Sequence, residues 1–296
     1  MQSGSGKLTF LRTLLCALTC ATMAQAGPNL QLSSDASWSL PEPWFGGFSG
    51  IEVSADGMQA TLITDKGTLA RAAMSRKNGK IIGLQLLNRT TLKHANGNRV
   101  RGKSSDAEGL AVGPNGKAYV SFERRHRVAE LDLASGRTHP LPKANGFARF
   151  EPNSGLEALA IHPDGTLYAL PEKSAARRAA FDLFAYDGQR WRVSHKIPRR
   201  GPFLPVGADF DARGLFYLLE RAATPLGFRS RIRRFNLVAG QQGEETLLTT
   251  IPTRFDNLEA LSVWQDTTGA TRLTMISDDN FLRIQRTQIV EFILTE

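Results

Sequence analysis

A short pattern recurs about every 50 residues along this chain of 296 residues and constrains the fold more than any other feature. In its clearest copy, the acid Glu108 precedes an apolar run, and the acid–base pair Glu123-Arg124 closes the next apolar run. The positions that correspond to Glu108 in the other copies are Ser49, Glu157, Asp209 and Glu259. Apolar runs that repeat with a period of ~40 to 50 residues are typical of the blades of a β-propeller.

Each period contains short β-like runs separated by turn residues. In the period around Glu157, the turns Pro163-Asp-Gly165 and Asp187-Gly188 help to separate the runs 156–161, 166–170, 181–186 and 190–196. The last period has only three such runs, and residues 29–40 supply the fourth. We therefore predict an all-β fold, a β-propeller of five four-stranded blades closed by pairing of the N- and C-terminal strands. A propeller of six blades is the alternative.

The first 26 residues have the pattern of a secretory signal peptide. Lys7 and Arg12 precede the apolar run 14–21, and the small residues Ala24 and Ala26 form a cleavage site. The apolar run is shorter than the ~20 residues that span a bilayer. We therefore expect a periplasmic or secreted protein without a stable membrane span, with a single domain over residues 27–296. Both cysteines lie in the leader, so the mature chain has no disulfide and no catalytic thiolate.

The mature chain is basic. Without the leader it carries 35 Lys and Arg residues against 28 Asp and Glu residues, a net charge of +7. Such an excess favours anionic partners such as phosphoesters or acidic envelope polymers, or serves solubility. The positive residues are dispersed and no nucleic-acid-binding module is recognisable, so we expect no nucleic-acid binding. We expect a monomer that binds an anionic small molecule.

Strand direction predicts where the recurring acids lie. In an antiparallel meander, the start of the first strand and the end of the second strand lie at the same end of the sheet. The acids before the first strands should therefore converge near the central channel, with cations outside them. Oxygen-rich clusters of this kind bind Ca²⁺. The alternative is structural, because one acid per blade can fix each blade to its neighbour, and the repetition favours this second interpretation.

Departures from the repeat are more informative than the repeat itself. Ser49 replaces the acid in the first copy, and Asp278-Asp279-Asn280 replaces the acid–base pair in the last copy. Two carboxylates and an amide add oxygen ligands for a metal and remove a competing cation. We assign candidate catalytic roles to Ser49, Glu108, Glu157 and Glu259, substrate-binding roles to Lys66, Arg124, Lys173 and Arg221, and calcium-binding roles to Asp209, Asp278 and Asp279.

Five motifs carry a family resemblance that covers essentially the whole mature chain. They are Gly47-Phe-Ser-Gly-Ile51, Asp106-Ala-Glu-Gly-Leu-Ala111, Asn153-Ser-Gly-Leu-Glu-Ala-Leu-Ala160, Asn257-Leu-Glu-Ala-Leu261 and Ser277-Asp-Asp-Asn-Phe281. In this order they resemble the bacterial phytase-like propeller family described as "esterase-like activity of phytase". The resemblance implies an exported propeller related in architecture to calcium-dependent alkaline phytases. Those enzymes have six blades, so none of their site residues is carried over.

Two functional hypotheses follow for this sequence. The first is a metal-assisted hydrolase of phosphoesters, with calcium held by the carboxylates and an anionic substrate oriented by the cations. The second is a non-catalytic propeller that uses the same face to bind an anionic ligand or an envelope protein.

Overall fold

The computed structural model describes residues 28–151, 155–173, 180–238, 243–282 and 284–296. Its strands form five four-stranded antiparallel sheets. The first blade holds β2 (Phe48–Val53), β3 (Gln59–Thr64), β4 (Thr68–Lys77) and β5 (Lys80–Thr91). The second holds β6 (Ala107–Val112), β7 (Ala118–Phe122), β8 (Arg127–Leu131) and β9 (Thr138–Pro140). The third holds β10 (Leu156–Ile161), β11 (Leu167–Pro171), β12 (Phe181–Tyr186) and β13 (Trp191–Ile197).

The last two blades complete the ring. The fourth holds β14 (Leu204–Phe210), β15 (Phe216–Thr224), β16 (Gly227–Asn236) and β17 (Gly243–Thr249). The fifth combines β18 (Asn257–Gln265), β19 (Thr271–Asp278) and β20 (Gln288–Thr295) with β1 (Asn29–Ser37) from the other end of the chain. Because β1 pairs antiparallel with β20, from Asn29 opposite Thr295 to Ser37 opposite Gln288, hydrogen bonds close the ring.

The first strand of each blade lies innermost. Contacts join β2 to β6, β6 to β10, β10 to β14, β14 to β18 and β18 back to β2, so these strands surround the central axis. Apolar side chains on the blade faces pack between neighbouring sheets. One such cluster combines Phe48 and Ile51 of blade one with Ala260 and Ile276 of blade five. Burial of such apolar area, at ~25 cal/mol per Å², holds blade to blade in the described residues, which contain no cysteine.

The structure confirms the five-bladed propeller and the closure by both ends of the chain. Blade three shows how close the expected strands are, since β10 and β12 have the predicted bounds and β11 and β13 are each shifted by one residue. The predicted signal peptide lies outside the described residues. Within the described residues, the only helical segments are 3₁₀ turns at Gly102–Ser104 and Asn145–Arg149. No helix in this part of the chain is long and apolar enough to cross a membrane.

Candidate functional site

A β-bulge near the start of each innermost strand decides which side chain faces the channel. In blade two the register moves from Ala107 to Gly109 and leaves Glu108 unpaired. The same irregularity occurs in all five blades and sets apart Ser49, Glu108, Glu157, Val206 and Glu259. A bulge inserts one extra residue and re-aims its side chain. We call these five residues the inner positions, and the end of the channel where they lie the upper face.

A second set of side chains stands next to the inner positions, at the end of the second strand of each blade. The backbone N–H of Glu123 donates to the backbone carbonyl of Asp106, just before β6. The backbone N–H of Glu172 donates in the same way to the carbonyl of Gly155 in blade three. The matching residues of the five blades, which we call the outer positions, are Asp65, Glu123, Glu172, Arg221 and Asp278. Blade four therefore carries a guanidinium where the other blades carry a carboxylate.

One sequence-based expectation for blade four is wrong. Asp209 does not occupy an inner position, because the bulge falls on Val206 and places Asp209 three residues farther down β14. Its carboxylate accepts hydrogen bonds from the N–H groups of Phe210 and Val263 at the opposite end of the channel, away from Asp278. Glu220 also does not reach the upper face. It lies inside the blade, where its oxygens accept from Arg231 and Arg233.

The carboxylates of the upper face raise one another's pKa. Burial raises the pKa of Glu108 well above its usual value, and the charges of Glu157 and Glu259 raise it further. Burial likewise raises the pKa of Glu157, reinforced by Glu172 and Glu123. Like charges in a partly desolvated site disfavour the ionised form of each. We use the name carboxylate ring for the seven acids at the inner and outer positions, which are Asp65, Glu108, Glu123, Glu157, Glu172, Glu259 and Asp278.

Arg221 compensates part of this negative charge. Its guanidinium donates to Oε1 of Glu259 and to Oδ1 of Asn257, the latter at 2.8 Å, and lies 3.8 Å from Oε1 of Glu172. Although burial opposes its charge, the carboxylates of Glu259, Glu157 and Glu172 raise the pKa of Arg221. The other half of the ring, around Glu108 and Glu123, has no cation in an equivalent inward position among the described residues.

The ring extends to Asp65 and Asp278. Burial raises the pKa of Asp65 to about 6, and Asp106 and Glu259 contribute to the rise against the opposing charge of Lys66. Oδ1 of Asp65 is buried without a hydrogen-bond partner. Burial, Glu259 and Asp65 together raise the pKa of Asp278 to about 7, although the N–H of Asn280 donates to its Oδ1 at 2.7 Å. An orphaned buried oxygen is a position where a cation or an ordered water binds favourably.

The remaining predicted cations form a rim around the ring. Lys66 lies with Nζ 2.8 Å from the centre of the Phe281 ring, a cation–π contact. Arg124 donates from Nε to Oδ2 of Asp106 at 2.7 Å, and Nζ of Lys173 lies 3.4 Å from Oε2 of Glu172. All three side chains are exposed, so anions approaching from solvent meet them before they meet Arg221.

Ser49 and Asp279 have structural contacts at the same face. The hydroxyl of Ser49 is buried and donates to the carbonyl of Ala107 in the next blade at 2.6 Å. Asp279 accepts from the N–H groups of Gly47 and Phe281 and from the hydroxyl of Thr287, at 3.0 to 3.2 Å. These bonds tie the loop after β19 to the start of β2. The structure thus brings Ser49, Asp278 and Asp279 to the upper face, and Asp279 makes three bonds that hold the loop.

The donor set suits a hard divalent cation on the side of the ring away from Arg221. Carboxylate oxygens of Asp106, Glu108 and Glu123 lie within 4.8 Å of one another. Calcium takes six to eight oxygen ligands in flexible geometry, and such a cation would relieve the mutual repulsion described above. The orphaned oxygen of Asp65 is a further oxygen donor at the same face. The residues present therefore fit a calcium-type ion, with a ligand set that differs from the predicted Asp209, Asp278 and Asp279.

The sequence of the chain also matches a family model. The family is phytase-like, described as "esterase-like activity of phytase", and the match covers residues 43–281. This chain belongs to the phytase-like family. Among curated proteins, none matches it significantly. The matched range includes every inner and outer position of this phytase-like propeller.

Solved structures with a similar fold differ widely in sequence from this phytase-like propeller. A PQQ-bound aldose sugar dehydrogenase from Streptomyces coelicolor is 12% identical, with a TM-score of 0.48 over 92% of this chain and 99% of that chain. A gluconolactonase from Xanthomonas campestris is 18% identical, with a TM-score of 0.46 over 83% and 72%. An α-L-arabinofuranosidase from Podospora anserina is 10% identical, with a TM-score of 0.49 over 90% and 98%. At these values the likenesses carry no functional argument.

Some residues of the phytase-like site were not selected from the sequence. The repeat in the sequence contains Asp65, Asp106, Glu123 and Glu172. It predicts site roles, however, only for the cations that follow or face them. The signal that finds them is the end of each second strand, where an acid recurs in four blades. The role of Arg221 follows from the same signal, because it is the one basic residue at that position.

Proposed function

We propose that this phytase-like propeller is an exported, calcium-assisted hydrolase of phosphoesters whose active site is the carboxylate ring. The observation that carries the proposal is the substitution pattern of the ring. Four blades present carboxylates at the outer position, and blade four presents Arg221. Contacts that only fixed the blades together would not need an arginine in place of a carboxylate in one blade. A site that binds both a cation and an anion needs side chains of both charges.

Asp106, Glu108 and Glu123 would hold the cation. When bound, the ion supplies a Lewis acid for a phosphoryl oxygen and lowers the pKa of an attacking water. The family description, which names phytase and an esterase-like activity, agrees with ester substrates that carry phosphate. The basic balance of the chain, with a formal net charge of +9, agrees with an anionic substrate.

The chain's own side chains have distinct tasks in this proposal. Arg221 binds non-bridging phosphate oxygens through a planar guanidinium, which is held in place by Glu259 and Asn257. Lys66 and Arg124 attract the anion at the rim. Glu157 is the ring member on which the charge of Arg221 acts, and its raised pKa favours the protonated carboxyl group that would donate to the leaving oxygen.

An activity assay tests the proposal. The purified mature protein is assayed against phytate, p-nitrophenyl phosphate, bis-p-nitrophenyl phosphate and p-nitrophenyl acetate, with added calcium and then with chelator. We expect calcium-dependent release of phosphate or nitrophenol from the phosphoesters. Glu157→Gln should lower the rate ~100-fold or more. Glu130 is exposed on β8 and is not a member of the carboxylate ring. Glu130→Gln therefore serves as the matched control and should leave the rate unchanged.

The assay also separates the alternative function. A rise in melting temperature with calcium but no turnover on any of these substrates would support a non-catalytic propeller, because a ligand that binds only the native state stabilises it by mass action. Turnover that is unaffected by chelator would contradict the role given to the cation. Turnover of the carboxylic ester alone would contradict the phosphoester specificity.

A further inference from the structure

Aliphatic side chains protrude from one sector of the upper face. Leu226 at the β15–β16 turn is 73% exposed, Ile251 after β17 is 71% exposed and Ile284 in the loop before β20 is 92% exposed. Leu282 in the same loop is 52% exposed. Among the described residues, Ile284, Leu226 and Ile251 are the most exposed large apolar side chains. Such a concentration marks an interaction surface more often than scattered single residues do.

Hydrogen bonds join the segments that carry these side chains into one sector. Thr253, two residues after Ile251, donates its N–H to the carbonyl of Phe228 beside the β15–β16 turn. Asp256 then links this segment to the loop before β20, because its Oδ2 accepts from the N–H of Arg286 at 2.9 Å. We call the exposed surface of Leu226, Ile251, Leu282 and Ile284 the apolar sector.

The backbone just before Leu282 is held in a costly conformation. Asn280 and Phe281 have φ angles of 48° and 53°, in the left-handed region that non-glycine residues seldom adopt. The three hydrogen bonds to Asp279 hold this part of the loop, and the amide of Asn280 donates to Oε1 of Gln285 at 3.0 Å. Backbone strain of this kind persists where the surrounding structure enforces it, often at binding surfaces. The backbone just before Leu282 is thus held by specific hydrogen bonds.

Three arginines lie close in the chain to the protruding side chains. Arg286 is exposed, and within the described part of the chain no carboxylate pairs with its guanidinium. Arg254 is 42% exposed and lies 3.5 Å from Asp35, an ion pair that solvent screens. Arg229 donates to the carbonyl of Thr250 beside Ile251. Exposed aliphatic side chains with arginines nearby in the chain match an anionic lipid surface. The acyl chains would surround the aliphatic side chains, and the headgroup phosphates would meet the guanidinium groups.

We propose that the apolar sector docks this protein on an anionic lipid membrane, with Leu226, Ile251 and Ile284 inserted below the headgroups. The carboxylate ring opens on the same face, because β18 begins and β19 ends there, so docking would place the ring near the lipid surface. This is peripheral binding and requires no membrane-spanning segment. The proposal rests on the exposed surface and its charge, and it stands independently of the hydrolase activity.

Vesicle flotation tests the docking surface. Protein is mixed with vesicles of phosphatidylcholine and phosphatidylglycerol at a ratio of about 3:1, or with vesicles of phosphatidylcholine alone, and the floated fraction is measured at low and high salt. We expect binding to the anionic vesicles that weakens with salt. The triple variant Leu226→Ser, Ile251→Ser, Ile284→Ser should lose binding more than ~10-fold, because each burial of an aliphatic side chain multiplies the affinity.

Two further variants separate the surface from general stickiness. Ile82→Ser with Leu87→Ser removes exposed aliphatic side chains from the outer strand of blade one, 62% and 51% exposed, and should float like the wild type. Arg254→Gln with Arg286→Gln should bind anionic vesicles more weakly. Wild-type protein that does not float, or a triple variant that floats like the wild type, overturns the proposal. A wild-type dimer in the absence of lipid that the triple variant converts to a monomer also overturns it, since a second copy would then cover the sector.

Discussion

Arg221 of blade four donates a hydrogen bond to Oε1 of Glu259 in blade five, at a position where the other four blades carry a carboxylate. The two side chains are 22% and 15% exposed, so solvent screens their attraction only in part. This pair divides the carboxylate ring into a half with an inward guanidinium and a half whose cations, Lys66 and Arg124, lie at the exposed rim. The division is what makes the upper face suited to a cation and an anion together.

Arg221→Gln should destabilise the protein by about 3 kcal/mol, because it leaves Glu259, Glu157 and Glu172 partly buried without their cation. Urea unfolding in the presence of chelator measures the loss. Calcium should restore more stability to this variant than to the wild type, since the metal then supplies the only inward positive charge. Arg124→Gln, which removes a 45% exposed cation, is the control and should change stability by less than ~1 kcal/mol. Equal losses for both variants would contradict the division of the ring.

Glu220→Gln should be severely destabilising without affecting calcium binding. Glu220 is fully buried and neutralises Arg231 and Arg233, which are 9% and 0% exposed. Removing one member of a buried ion pair typically costs about 3 to 5 kcal/mol. The readouts are urea unfolding and calcium titration of the folded variant. Glu245 pairs with Arg234, and its side chain is 48% exposed. Glu245→Gln should therefore lower the free energy of unfolding far less. A change in calcium affinity would mean that Glu220 reaches the ring after all.

The closeness of the innermost strands predicts the effect of a single methyl group. A Cβ on Gly109 would lie 2.7 Å from Oγ of Ser121 and 2.8 Å from Cβ of Leu159, closer than van der Waals contact allows. Gly109→Ala should therefore cost about 1 to 3 kcal/mol through overpacking between blades two and three. Gly83→Ala in β5 meets nothing within 4 Å and should be neutral or slightly stabilising. Thermal unfolding of the two variants decides the point.

The lower end of the channel predicts a dependence of stability on pH. Glu52 and Asp209 lie there beside a cavity of about 860 Å³. They accept hydrogen bonds from Val112 and Val263 of the neighbouring blades. Burial raises the pKa of Asp209 to about 7, and burial together with Asp209 raises the pKa of Glu52 well above its usual value.

A carboxyl group whose pKa is higher in the folded state favours folding most when it is protonated in both states. Its contribution is complete below pH ~4 and is lost as the pH rises through the folded value. We therefore expect Asp209 to remove about 2 to 3 kcal/mol of stability between pH 5 and pH 8. Urea unfolding should show that the free energy of unfolding of Asp209→Asn changes less between pH 5 and pH 8 than that of the wild type, by this amount. A difference in stability that is the same at every pH does not affect this comparison. An identical pH profile for variant and wild type would contradict the assignment.

Much of the fold was predictable from the sequence, because a propeller repeats its pattern once per blade. The turns and apolar runs of blade three gave the strand bounds nearly to the residue, and the missing strand of the last repeat gave the closure. Three of the inner positions, Glu108, Glu157 and Glu259, follow from the acid before each apolar run. These predictions depend on local sequence and on alternation along strands, which one sequence displays directly.

The arrangement of blade four was not predictable in the same way. Its bulge falls on Val206, an apolar residue that carries no mark of the inner position. Asp209 therefore took the place of the missing acid in the sequence comparison, although it lies at the other end of the channel. One residue likewise separates Glu220, which lies inside the blade, from Arg221 at the ring, since neighbouring residues of a strand point to opposite faces. The register of a strand pair depends on tertiary contacts that the repeat alone does not encode.

Calorimetric titration of calcium into the mature protein tests the account most directly, with Glu108→Gln combined with Glu123→Gln as the variant and Glu130→Gln as the control. The account predicts saturable binding by the wild type and the control, and an affinity at least ~10-fold lower for the double variant. It also predicts unchanged affinity for Asp209→Asn, which lies at the other end of the channel. Wild-type protein that binds no calcium, or a double variant that binds it as tightly as the wild type, would contradict the assignment of the carboxylate ring.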